Sequence, residues 1–470
     1  MTAETVELSI TIKAGEKTAE IIKEIDVQDL EKETASLGME LNGQIFGLTL
    51  ELLDEHLREG IPVTWKNVGR EHRRLVFEQG YVHYNRRVYL DEKGRRRKPL
   101  DELLEVQMYA RNSRTVQEMG SVMAAETTFR KAANMLSYML KTSFSPSSIH
   151  RMVKQTGQRV KEQEEVVMST GAGSIAAPVL YGESDGVWIH LQRERRKKAE
   201  VKVGVMYTGK KRIGKKRFRC ENKVAMTQLG GSTREWQIKW RELADSTYDL
   251  ERAKLLVTGG DGSSWVKQSF DLLNLPQTHL LDRFHVVRAV SRAFGQELEV
   301  FQTLQDLFKN GFEAVANDMV ICIQNARGRK KDQMVETYKY LQNNQDALID
   351  LGQRGYDDLT FCSLGSIEGN GDKLVVHRME GRGCCWSLDG AHAMLAILRH
   401  KEELQFHTFE YLAVPGIKKS AHRVKLPKGK LHYQPTSGSL PIFQSRDQSK
   451  PWVQLLRQKL NFGLSINAFV

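Results

Sequence analysis

The chain has 470 residues, 40% of them hydrophobic and 27% charged, and its 70 Lys and Arg outnumber 58 Asp and Glu to give a formal charge of +12. These totals describe a folded globular protein of roughly two to four domains and exclude a chain dominated by disorder. No apolar run approaches the roughly 18 residues of a membrane span, so no membrane partner is expected, and the basic excess favours a polyanion, nucleic acid first.

The N-terminus, MTAETVELSITIK, lacks the basic-then-apolar pattern of a signal peptide. Five cysteines, at 220, 322, 362, 384 and 385, are an odd number without CxxC spacing. They predict reduced thiols in a cytoplasm, here on the nucleoid, and no structural zinc. Residues 1–60 carry helical periodicity, as in IFGLTLELLDEHLREG, and read as a helical lead-in. A basic segment follows over 61–110. Within it RLVFEQGYVHYNRRVYL, Arg74 to Leu90, places apolar and aromatic residues on both sides of Gln79-Gly80, which predicts a hairpin. The run GRRRK, 94–98, is either a solvated loop or a phosphate contact.

Residues 111–170 read as three helices. In SFSPSSIHRMVKQTGQRVK, Ser145 is a good N-cap and Pro146 a good first helical residue. Ile149, Met152, Val153, Thr156 and Val160 fall on one face at steps of three and four. His150, Arg151, Lys154, Gln158 and Arg159 fall on the other. That pattern suits the second helix of a helix-turn-helix, apolar behind and donors in front, with His150, Arg151, Lys154 and Arg159 as DNA-binding candidates. A core helix with a solvated basic face fits the same residues.

Over 175–400 the order is three strands, helix, strand, helix, strand, helix, beginning with VLYGESDGVWIHLQ and passing through KLLVTGGDG and THLLD. Short turns first and helical crossovers afterwards predict a mixed sheet with helices on its faces. The fold class expected is therefore α/β, an RNase H-like mixed-sheet catalytic domain with a helical insertion at about 290–360, preceded by the helix-turn-helix-like DNA-binding region. A basic, turn-rich segment closes the chain at 401–470.

Two acids stand in similar settings, Asp185 on the first strand of this domain and Asp261 at the end of the fourth, in TGGDG. In an RNase H-like sheet those strands are neighbours, so the two carboxylates would meet and repel unless a cation lay between them. Hard oxygen ligands suit Mg²⁺ or Mn²⁺, and two such ions roughly 4 Å apart can hold both reacting oxygens of a phosphodiester. A third acid is expected from a later helix, with Glu368 in SIEGNGDKLVV the best candidate and Glu380 and Glu183 its rivals. Asp282 and His285, in LLDRFHVV, are expected to support the acids or position DNA, and His377, Arg378 and Arg382 to hold a phosphate near Glu368.

YGESDGVWIHLQRE, TGGDGSSWVKQ, HLLDRFHVVRA, SIEG and RMEGRGCCWSLDGAHAMLAILR resemble, in order and spacing, the ISLre-type insertion-sequence transposases of bacteria, relatives of the Mutator-like DDE transposases. The resemblance covers most of the chain. It implies a DDE transposase that cleaves DNA at element ends and transfers the strand to a target, with Asp185, Asp261 and Glu368 as catalytic residues and ligands of a pair of divalent ions, Mg²⁺ or Mn²⁺. It also implies DNA as partner and a homo-oligomer on DNA. NGDKLVV stands where the family carries a His-containing stretch. Two other classes share these residues: an inactive, transposase-derived DNA-binding protein, and an RNase H-like nuclease without strand transfer.

Overall fold

The computed structural model describes residues 5–401, apart from 15, 16, 216, 350, 357 and 382, together with Leu404. The expected basic segment at 401–470 therefore lies, but for Lys401 and Leu404, outside the described residues. The chain opens with β1 (Thr5–Ala14) and β2 (Lys17–Asp26), an antiparallel pair. This corrects the helical lead-in. VELSITIK alternates aliphatic Leu8, Ile10 and Ile12 with polar residues, and a period of two belongs to a strand. Ile21 and Ile25 bury against Leu37 of α1 (Leu30–Leu57), the helix that the later part of the segment does form.

β3 (Lys66–Phe77) and β4 (Gly80–Leu90) make the expected hairpin. Phe77 pairs with Gly80, whose φ of +87° closes a turn that a side chain would strain. β5 (Arg96–Arg97) extends this sheet, and α2 (Pro99–Leu103) follows. The cations of loop 94–98 are all engaged locally: Arg95 with Asp91 at 2.9 Å, Arg96 with Glu71 at 2.7 Å, Arg97 with Glu102 at 2.7 Å and Lys98 with Glu71 at 2.8 Å. That loop is internally neutralised, which favours the solvated reading over a phosphate contact.

Three helices come next: α3 (Arg114–Glu126), α4 (Phe129–Leu140) and α5 (Pro146–Thr170). Ser145 caps α5 by accepting from the Ser148 N–H at 3.1 Å, and the five apolar-face residues named above are buried.

The larger sheet runs in the order β10–β7–β6–β11–β12. Its strands are β6 (Val179–His190), β7 (Lys198–Tyr207), β10 (Val224–Leu229), β11 (Leu255–Gly260) and β12 (Gln277–Leu281). β8 (Gly209–Gly214) and β9 (Arg217–Glu221) form a separate ribbon between β7 and β10 that the sequence pattern did not announce. The β6–β7 and β7–β10 pairs are antiparallel; β6–β11 and β11–β12 are parallel. All six residues of β11 are buried, as a central parallel strand covered on both faces requires.

The helices then alternate with strands: α6 (Thr233–Thr247), α7 (Ser264–Lys267) and α8 (Arg283–Phe294). Odd positions of β6, Val179, Tyr181 and Ile189, share a core with α3, α4 and α5. Even position Leu180 packs with Trp236 and Trp240 of α6. α9 (Val300–Asn310), α10 (Glu313–Asn325) and α11 (Gly328–Gln342) pack with α8 around Val290, Phe294, Leu307, Met319 and Met334, a separate core that fits the expected helical insertion.

α12 (Ile367–Gly371), a π-helical turn over Asp372–Val376 and α13 (His377–Met379) run on as one helical stretch before α14 (Leu388–Arg399). π turns of this kind gather at functional positions. α14 lies along α5: the Arg399 guanidinium donates to Glu164 at 2.6 and 2.9 Å, and His400 sits 2.7 Å from the same carboxylate.

Candidate metal centre

Asp185 lies in the middle of β6, at the point where the strand becomes half-buried. Glu183 of β6 pairs in register with Gly259 of β11, and Asp261 is the first residue past the end of β11, near enough to Asp185 for its charge to raise that carboxyl. Neighbouring strands lie roughly 4.8 Å apart. The glycines of TGGDG permit this approach. A Cβ on Gly260 would stand 2.7 Å from the Ser184 carbonyl oxygen and 2.2 Å from Val266, and Gly262 holds a φ of +84°. The Asp261 carboxylate accepts from the Ser263 N–H at 2.9 Å, and its carbonyl oxygen accepts from the Tyr340 hydroxyl at 3.0 Å. α11 therefore reaches back to fix the backbone of one acid.

α8 and α12 complete the cluster. Ligand atoms of Asp185, His285 and Glu368 all lie within 4.8 Å of one another, and His285 Nε2 is 3.3 Å from Glu368 Oε1. Burial pushes the Asp185 carboxyl up to about 6; the Gly186 N–H and His285 pull it down, while Asp261 and Glu368 raise it further. A carboxyl held this way by burial and like charge is stabilised as an anion by a cation placed among its neighbours. Asp282 caps α8 by accepting from the Phe284 N–H at 2.8 Å, while its Oδ2 is buried with no hydrogen-bond partner among the described residues. The two carboxylates and one imidazole of the cluster are a donor set that fits a divalent metal.

The structure thus brings together Asp185 and Glu368 and promotes His285 from a supporting role to a member of the group, whereas Asp261 stands outside that group and acts on Asp185 through its charge. The expectation of an all-oxygen set is corrected by that imidazole. Glu183, a rival third acid, points the same way as Asp185 but is 1% exposed and fully used. It accepts from the Tyr207 hydroxyl at 2.6 Å and from the N–H groups of Gly365, Ser366 and Ile367 at 2.8, 2.9 and 3.3 Å. Glu380, the other rival, is exposed just beyond α13.

Arg378 is ten residues past Glu368, roughly 15 Å along a helix axis. It is buried, donates to the Ala124 carbonyl and packs over the rings of Trp386 and Phe129. This corrects its expected place beside the acids: it ties this helix to α3 and α4. Arg382 lies outside the described residues.

The four DNA-binding candidates of α5 separate. Arg159 turns inward, donating to Gln117 at 2.8 Å and Thr156 at 3.2 Å; Lys154 pairs with Asp389 of α14 at 3.1 Å; half-buried His150 meets the edge of Phe129. Arg151 alone of the four is exposed with no hydrogen-bonded or ion-pair partner among the described residues, lining a cleft of about 820 Å³ with Arg74, Arg111 and Tyr109. With α14 laid along it, α5 packs as the core helix with a basic face that the same residues allowed, and Arg151 remains exposed on that face.

A family described as Uncharacterised protein family (UPF0236) matches residues 20–405. A relative from Streptococcus gallolyticus, the UPF0236 protein in vanSb 3'region, is 26% identical over 395 residues, covering 82% of this chain and 84% of its own. Among solved structures, the pre-cleavage Mos1 transpososome gives a TM-score of 0.14 at 9% identity, over 50% of this chain and 76% of that one. A likeness that slight carries no argument. Among the described residues no helix is long and apolar enough to cross a membrane.

Proposed function

The chain belongs to the uncharacterised protein family UPF0236, and from that premise we propose that it is a DDE-type DNA transposase, cleaving DNA at element ends and joining the cut strand to a target. The observation that carries this reading is the convergence of Asp185, His285 and Glu368 from β6, α8 and α12, with Asp261 just past the end of β11. Three strands in antiparallel succession followed by two parallel ones support an RNase H-like sheet with its acids at the β6–β11 junction.

Asp185, Glu368 and His285 would hold a divalent ion, Mg²⁺ or Mn²⁺, and Asp261 is the residue available to a second. Such ions, when bound, polarise the phosphoryl oxygen and lower the pKa of an attacking water or 3′-hydroxyl. The chain's own residues do the rest. His285 Nε2, 3.3 Å from Glu368 Oε1, orients that exposed carboxylate. Tyr340 and the Ser263 N–H hold Asp261, one through its carbonyl and one through its carboxylate. The excess of basic side chains draws DNA toward the acids. Joining two element ends to one target calls for two copies of the chain on DNA, acting at the nucleoid.

Incubation of the protein with labelled element ends, target DNA and Mg²⁺ or Mn²⁺ tests this reading. Joined products are expected, and Asp185→Asn or Glu368→Gln should abolish them by at least about a hundredfold while DNA binding persists. Cleavage without joining would make it a nuclease, and binding without chemistry an inactive relative. Full cleavage by either variant would remove the metal centre from the mechanism.

A further inference from the structure

The ribbon β8–β9 is unlike the rest of the basic surface. Residues 209–221 read GKKRIGKKRFRCE, seven cations with one acid. Lys211, Lys215, Arg217 and Arg219 are exposed, and among the described residues none of them is paired with a carboxylate. Loop 94–98 offers the contrast, since each of its cations is matched to an acid within 3 Å. Lys211 stands directly opposite Arg219 in the ribbon register, and Arg217 lies two residues from Arg219 on the same face. Like charges directly across a strand pair destabilise it. A ribbon that keeps three cations on one face with no internal counterion is neutralised from outside.

Its base is fixed beside the acids. Lys210 Nζ donates to the Leu364 carbonyl at 3.1 Å, Cys220 Sγ lies 3.2 Å from Ser366 Oγ, and just past the ribbon Lys223 Nζ donates to Asn370 at 2.8 Å. These contacts bracket Glu368 on both sides. Arg212 donates to the carbonyls of Gly214 and Lys215, which braces the tip. Phe218 and Ile213, 62% and 60% exposed, give the ribbon apolar surface beside its cations.

We infer that β8–β9 is a DNA-docking ribbon that grips the backbone of a duplex and delivers it to Glu368 and Asp185. A two-stranded ribbon has the dimensions of a major groove, whereas single strands are held by successive bases stacking on several rings, and residues 209–221 carry one ring, that of Phe218. That the duplex is the one being cut rests on the proposed function; that the ribbon binds duplex DNA does not.

The test is binding of full-length protein to a fluorescent duplex in EDTA across a salt series. Each phosphate contact contributes about 0.9 to the slope of log affinity against log salt. Replacing Lys211, Arg217 and Arg219 with Ala should lower that slope by about 2 to 3 and weaken binding at least about tenfold. Arg95→Ala, Arg96→Ala and Lys98→Ala together remove the same charge from the neutralised loop and should leave the slope unchanged. Far-UV circular dichroism confirms that both variants fold. An unchanged slope in the ribbon variant, an equal drop in the loop variant, or equally tight ribbon-dependent binding of oligo(dT) would each overturn the inference. Loss of cleavage with the slope intact in the wild type bears on the proposed function alone.

Discussion

Glu183 stands two residues before Asp185 on β6, and it is the side chain that places Glu368. Its carboxylate receives one hydroxyl and three backbone N–H groups, those of the residues leading into the helix that carries Glu368. An acceptor-only group is needed there. Glu183→Gln turns one end of that carboxylate into a donor facing donors, which costs roughly 1–3 kcal/mol. It should also loosen Glu368 and weaken Mn²⁺ binding by about ten- to a hundredfold, the usual penalty for losing an outer support. Calorimetric titration reads this directly. Unaltered Mn²⁺ affinity in a folded Glu183→Gln protein would mean that the carboxylate merely fills the core.

The helix pair α5–α14 decides what α5 is for. A Cβ on Gly157 would lie 2.6 Å from the Cα and 2.7 Å from the carbonyl oxygen of Ala393, so the two backbones touch at this point. At an exposed helical site Gly→Ala stabilises by about 1 kcal/mol. Here the new methyl meets backbone, and Gly157→Ala should instead destabilise by roughly 1–3 kcal/mol, the range for overpacking. Urea denaturation gives the sign. A gain in stability would show α5 standing clear of α14 and would restore it as a free recognition helix. The Glu164–Arg399 bonds close the same interface one end further along. Burial alone would push Glu164 up, but His400 and Arg399 outweigh it and hold the carboxyl at about 2.

Across the whole molecule, the candidate metal centre gathers residues from positions 185, 285 and 368, so an ion bound there would tie the sheet, α8 and the late helix together. A ligand at a hundred times its Kd stabilises the folded state by about 2.7 kcal/mol. Mn²⁺ at that excess should raise the Tm of the wild type at pH 7.5 and leave that of Asp185→Asn nearly unchanged. The effect carries a pH sign. Asp185, its carboxyl pushed up from 3.8 to about 6 by burial, binds a proton below that value, and the proton competes with the ion. The Mn²⁺-induced rise should therefore shrink as pH falls through about 6. A shift of equal size at pH 5 and pH 7.5 would place the ion elsewhere.

The sequence by itself determined the parts whose cause is local. Alternation and apolar runs marked β6, β7, β10, β11 and β12; Ser145-Pro146 marked the start of α5; the glycines around Asp261 marked a strand end with a bare carboxylate. Tertiary structure decided the rest. His285 joined the acids, Arg378 left them for the rings of Phe129 and Trp386, and Lys154 and Arg159 found partners at Asp389 and Gln117. Chain spacing fixes which face of a helix or strand a residue occupies, but a charged side chain takes its role from the group that meets it. For these residues that group arrives from as far as 254 positions away, across contacts that form only when the sheet and its helices have packed.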